Sequence, residues 1–247
     1  MHEGANVSFV AMGTIGLRPA MPFTAQQFFE VFGRYNVAVW PAQVVLNAFA
    51  GLAILLVSRG RPSDGRWVCA ILAALWAWMA VAYHFAFFAA INPAAWVFGG
   101  VFLIGAIWLA WVGCVQGRLQ FRASGGWRGW SGAALILFSL LVYPALGWVL
   151  GHRYPASPSF GLPCPTTIFT MGLLMFARAP VPWSVYVVPL LWAAVGSTAA
   201  VTLGVYQDLG LLAAGALALL LLLRLKSDGE AVSRRVAQGP SSRSGRS

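Results

Sequence analysis

The chain has 247 residues, 60% of them hydrophobic and only 9% charged, with 12 tryptophans and a net charge of +10. So few polar groups cannot cover a soluble globule, and the composition is that of a membrane protein. The continuous apolar runs exclude a spanning barrel, whose strands would alternate, and leave helices as the spanning elements.

Residues 1–20 are mixed and glycine-bearing and read as a loose external tail. They lack a basic region followed by an apolar one, so insertion is expected through the first helix and not through a cleaved signal. The segment PFTAQQFFEVFGRYN follows. Thr24 and Gln27 have the spacing of a capping box, Phe23 and Phe28 that of a hydrophobic staple, and Phe28, Phe32 and Tyr35 share one helical face. A short amphipathic helix on the outer interface fits this pattern, as does an early turn of the first span.

Seven apolar runs come next, at residues 35–58, 67–91, 94–116, 130–151, 165–177, 183–205 and 209–225. A hydrocarbon core of ~30 Å takes about 20 residues per helical crossing, and the fifth run is the shortest. The expected organisation is an external tail with its short helix over 1–34, an all-α seven-helix transmembrane domain over 35–226, and a disordered basic cytoplasmic tail over 227–247.

The charge follows this plan. Thirteen of the 16 basic residues fall after the first, third, fifth and seventh runs, and only Arg18, Arg34 and Arg153 fall on the other side. The positive-inside rule then puts the N-terminus outside and the C-terminus in the cytoplasm. Topology accounts for the basic excess, so no nucleic-acid partner is needed; membrane lipid is the expected contact. Nothing in the chain fixes an oligomeric state.

The stretch HRYPASPSFGLPCPTTIFTMG becomes the external loop before the fifth helix together with its first turns. Pro165 suits the first helical position, where no amide is needed, which places Cys164 at the cap beside a positive helix end. Cys69 and Cys114 lie at the opposite ends of their helices, so Cys164 has no disulfide partner within reach. It is either a small buried hydrophobe under the loop or a functional thiol. His84 and His152 are the histidines that could join it around Zn, Cu or Hg, although three ligands leave a tetrahedral site open.

Other hydrogen-bonding groups gather at the same depth. Asn36, Trp40, Gln43 and Asn47 form one stripe on the first helix, and Tyr83, His84, Tyr143, Thr166, Thr167, Thr170, Ser197 and Thr198 occupy outer halves of later ones. Such groups line a pocket open to the outside or hydrogen-bond between helices at ~0.6–2 kcal/mol each, and the residue types suit both.

Two segments, PFTAQQFFEVFGRYNVAVWPAQVVL and YPASPSFGLPCPTTIFTMGLL, resemble an uncharacterised family of bacterial multi-pass membrane proteins carrying a domain-of-unknown-function label. The resemblance runs from about Met21 to the end of the seventh run. It implies a bacterial inner-membrane location and carries over no reaction and no catalytic residue.

Several function classes are disfavoured by what the runs contain. The only lysine, Lys226, lies beyond the last run, so a retinal Schiff base has no anchor. No run holds an interior carboxylate for hydrolysis or proton coupling, and no glycine segment has phosphate-loop spacing, so neither a catalytic set nor a cofactor is indicated. Two readings from different classes remain. One is a protein binding or transporting a small solute or soft metal ion through an outward-facing polar pocket. The other is a noncatalytic membrane component that binds a protein or lipid.

Overall fold

The structure is a computed structural model that describes residues 22–237. The rest of the expected external tail and residues 238–247 lie outside the described residues.

Helix α1 (Ala25–Ala38) begins at the expected capping box. The Gln27 amide donates to Thr24 Oγ1 at 3.2 Å and the Thr24 amide donates to Gln27 Oε1 at 2.8 Å, which satisfies two of the donors that a helix start leaves open. Phe23 stacks on Phe28 with ring centroids 5.7 Å apart, closing the staple. Phe28, Val31, Phe32, Tyr35 and Asn36 are buried, whereas Gln26, Glu30 and Arg34 are exposed.

The first span differs from expectation. The chain breaks after α1 and starts again as α2 (Ala42–Arg59), so residues 35–58 are two helices and not one. Pro41 is the physical reason: it has no amide to continue the ladder and it biases Trp40 away from the helical region. The break dissolves the stripe of Asn36, Trp40, Gln43 and Asn47.

Helix α3 (Asp64–Trp78) continues through a π-helical turn at Met79–Phe85 and a 3-10 turn at Phe88–Ala90. Helix α4 (Ala95–Leu109) ends in a second π segment, Ala110–Val115. Helix α5 (Gly126–Leu137) passes through a third, Phe138–Val142, into α6 (Tyr143–Val149), where Pro144 withholds an amide from the ladder. Then come α7 (Pro163–Leu174), α8 (Val187–Gly196), α9 (Thr198–Thr202) and α10 (Leu209–Ala237). Helix α10 continues through residues 227–237, so this part of the expected disordered tail is helical.

Six helical segments among the described residues are long and apolar enough to cross a membrane: Ala42–Arg59, Asp64–Ala90, Ala95–Val115, Gly126–Val149, Trp183–Thr202 and Tyr206–Ser227. Their outer faces carry exposed apolar side chains, among them Val97, Ile104, Trp130, Leu141 and Leu223, which suits contact with lipid. The chain is a multi-pass helical membrane protein.

The fifth expected run is different. Helix α7 has 12 residues, about 18 Å at ~1.5 Å per residue, too short to cross ~30 Å of hydrocarbon. It is buried on every side, packed against α5, α8 and α10 and bonded to α3, where Trp76 Nε1 donates to Thr170 Oγ1 at 3.0 Å. At the α5 crossing Gly132 and Gly172 face each other. A Cβ at Gly132 would lie 2.8 Å from the Gly172 carbonyl oxygen, so only glycine permits this approach.

Two groups of loops mark the ends of the bundle. At the arginine-rich end Arg122 N donates to Phe176 O at 3.1 Å, Arg178 N to Gln120 O at 2.8 Å and Ala123 N to Val57 O at 3.1 Å. Arg128 reinforces this end by donating to Met175 O and Ala177 O. At the other, arginine-poor end α1 and the 152–162 loop cover the helices.

Candidate functional site: an aromatic cavity beneath α1

Helix α1 and the 152–162 loop are latched together by Asn36. Its Nδ2 donates to the carbonyls of Pro155 and Ser157, each at 2.7 Å, and its Oδ1 accepts from Ser159 Oγ at 2.7 Å. Gln43 Nε2 adds a bond to the Asn36 carbonyl at 2.8 Å, spanning the break between α1 and α2. Tyr35 accepts a bond from Trp78 Nε1 at 2.7 Å, and burial pushes its phenol up to about 12 despite the opposing effect of that bond. Gly161 ends the loop with φ +98°, a conformation that demands glycine, and a Cβ there would also have to displace Leu46 Cδ1, 2.4 Å away.

Below this roof lies a cavity of about 230 Å³. The roof supplies Phe23, Phe28 and Phe32, which α1 and its staple hold at successive turns. Tyr83, Phe88 and Phe98 come from the α3–α4 side, and Trp192, Val195 and Ala199 from α8 and α9. Phe98, Ala199, Val195 and Thr198 retain exposure, so the mouth lies on the side between α4 and α8–α9, at the level of the α3–α4 turn.

Cys164, Tyr143 and Asp208 form a polar group on the cavity wall, which also carries Tyr83, Asn92 and Thr198. Asp208 sits in the 3-10 turn Tyr206–Asp208 that leads into α10, a position favourable for an anion because the first helical amides point toward it. It is 1% exposed, and the Tyr143 hydroxyl donates to its Oδ1 in a short hydrogen bond. Cys164 lies beside the carboxyl on the same wall, and Tyr83 lies within electrostatic range. The π segment and Pro144 just before and within α6 set the register that turns Tyr143 inward.

The sequence-predicted site residues separate into those that line this cavity and those that do not. Tyr83, Tyr143, Cys164 and Thr198 line it. Trp40 is 62% exposed, because the Pro41 break turns it away from the bundle. Asn47 is exposed and bonds back to Gln43 O in its own helix. Asn36 and Gln43 hold the roof. Thr166 accepts from the Gly161 amide at 3.0 Å, Thr170 bridges Trp76 and Thr166 O, and Ser197 bonds to Ala194 O. These are structural bonds inside the bundle. Thr167 is wholly buried and its hydroxyl has no hydrogen-bond partner.

Cys164 belongs to the first turn of α7, which starts at Pro163 and not at Pro165, so the thiol lies within the helix and not at its cap. Its partial exposure is that of a side chain on a cavity wall. His84 is fully buried behind Trp192, with ring centroids 5.3 Å apart, and is walled by Phe98 and Phe102 with neither nitrogen hydrogen-bonded. His152 stacks on Phe29 at 4.2 Å on the roof, where burial lowers its pKa from the ordinary imidazole value. No group of three His, Cys, Asp or Glu able to hold a metal ion occurs among the described residues. Cys164, His84 and His152 are therefore not gathered into a three-ligand site.

The residue that sequence reasoning passed over is Asp208. The chain holds six acids, and Asp208 is the one that directly precedes an apolar run, at residues 209–225. That adjacency was the available signal, since a carboxyl drawn into a helical bundle is costly and points to function.

Fold and site together define a polytopic helical membrane protein with a roofed aromatic cavity that carries the Asp208 carboxyl in its wall. Residues 25–231 match the family model of DUF6064, a family of unknown function, and the chain belongs to that family. No curated protein and no solved structure matches it.

Proposed function

We propose that this protein binds a small, mainly apolar solute in the cavity beneath α1 and presents or moves it across the membrane. The observation that carries this reading is the cavity itself: a roofed space, open on one side, walled by aromatic rings with polar groups on its wall. Such a composition is typical of small-molecule sites. At about 230 Å³ it is smaller than the ~300–1,000 Å³ that drug-sized ligands need, so the solute is small.

The 13-to-3 distribution of basic residues supports an orientation with the arginine-poor end, and hence the cavity, outside. Helix α7 then serves as a seventh, protein-enclosed pass. The loop before it is bonded to Asn36 at one end, and Arg178, just after it, is bonded to Gln120 at the other. Short and enclosed passes are tolerated where protein replaces lipid around the backbone. In the bacterial inner membrane suggested by the sequence resemblance, the cavity would face the periplasm. Labelling of Tyr154→Cys in intact cells, with Ser124→Cys reacting only after permeabilisation, is the expected pattern; the reverse defeats the orientation.

Binding is tested with purified protein in detergent and three single-ring probes: benzyl alcohol, benzylammonium and benzoate. At least one should raise the thermal midpoint saturably, and Ala199→Trp, which fills the mouth, should abolish the shift. Absence of saturable stabilisation by all three overturns the reading.

A further inference from the structure

Resting on that reading of the cavity, we propose that its ligand is a small organic ammonium ion, held by the Asp208 carboxylate and caged by the rings of Phe28, Tyr83, Phe88 and Trp192. Among the described residues Asp208 is the one acidic side chain on the cavity wall; Tyr143 donates to it and Cys164 lies beside it. Neither of them carries positive charge. A carboxyl withdrawn from water holds its proton unless a counter-charge lies beside it, and the described residues around this site provide none. A cationic ligand would supply it from the cavity side.

The walls fit the same ligand. Aromatic faces attract ammonium groups through their quadrupoles, by about 2 kcal/mol or more where water is excluded. Phe28 and Tyr83 each pack against Phe88, at centroid distances of 5.8 and 5.6 Å, so the rings form a fixed wall and not a set of independent side chains. The Tyr143 hydroxyl, committed to Oδ1, fixes the carboxyl's orientation. A neutral apolar solute would need no carboxyl there, and an anionic one would be repelled by it.

Isothermal titration of the purified protein near neutral pH with benzylammonium, benzyltrimethylammonium, benzyl alcohol and benzoate separates the possibilities. Both cations should bind at least about tenfold more tightly than benzyl alcohol, ~1.4 kcal/mol, and benzoate should be the weakest. In Asp208→Asn the preference for cations over the alcohol should disappear. A preference below tenfold, or one that survives in Asp208→Asn, overturns the assignment while leaving the cavity as a binding site for neutral solutes. Failure of all four probes overturns the cavity reading as well. Should Asp208→Asn not fold, the ranking of the four probes on the unaltered protein decides alone.

Discussion

Helices α1 and α7 are nearly equal in length, at 14 and 12 residues, and both border the cavity, yet their settings are opposite. Helix α1 has one buried and one exposed face, a full capping box and a proline break that detaches it from α2. Helix α7 has no exposed face beyond its first turn, no side-chain cap and neighbours on every side. The difference shows how a short helix is held at a membrane protein's end and in its middle. At the end it needs its own caps and an amphipathic pattern. In the middle, close packing against glycine replaces both.

Breaking the enclosure of α7 should have the largest effect. Gly132→Val places side-chain atoms where the Gly172 carbonyl oxygen already lies, within 2.8 Å of a Cβ. Because the Gly172 backbone oxygen is in the way as well as the Phe176 ring, whose Cε2 would lie 2.6 Å from that Cβ, the cost should be at the upper end of ~1–3 kcal/mol or beyond. We expect little monodisperse protein by size-exclusion chromatography in detergent. Recovery comparable to the parent protein would show that α7 is not tightly enclosed.

Releasing the roof comes second. Asn36→Leu removes the two bonds to Pro155 and Ser157 and strands the Ser159 hydroxyl. The partners are half-buried or exposed, so the loss should lie near the lower end of the ~1–3 kcal/mol of an unsatisfied group; the thermal midpoint should fall and limited proteolysis should cut within 152–162. Unchanged cleavage would mean that α1 does not latch the loop.

Removing the cap of α1 is milder. Thr24→Ala removes the side-chain half of the capping box, the bond accepted from the Gln27 amide, keeps the residue 24 amide that donates to Gln27 Oε1, and should cost about 1 kcal/mol, with Thr24→Ser retaining most of the stability. Equal behaviour of the two variants would show that packing of Phe23 and Phe28 alone positions α1.

The smallest effect concerns His152. Its folded pKa is lowered by burial against the roof, so the neutral ring is the form that the folded state prefers. Its stabilising contribution is complete above the ordinary imidazole value of ~6.5 and is lost as pH falls from there through the lowered folded value. His152→Phe should flatten the stability profile below ~6.5; an unaltered slope would assign it to other groups.

Sequence alone determined what depends on composition and near neighbours. Long apolar runs must become helices in lipid because no water is present to satisfy the backbone, and six of the expected runs have counterparts among the helices long and apolar enough to cross, the first of them starting at Ala42 and not at residue 35. The capping box and staple of α1 were legible because their partners lie three and five residues apart. Only the tertiary structure decided the rest. Pro41 could end a helix or sit harmlessly at its start, and packing of α1 across the bundle end settled which, taking Trp40 and Asn47 away from the site. The shortness of α7 was visible, but its enclosure depends on Gly132 and Gly172, 40 positions apart, meeting face to face. Asp208 reads in sequence as an acid at a helix start. Its burial against Tyr143 and Cys164 joins three separate segments of chain, and contacts between distant segments leave no local periodicity to read.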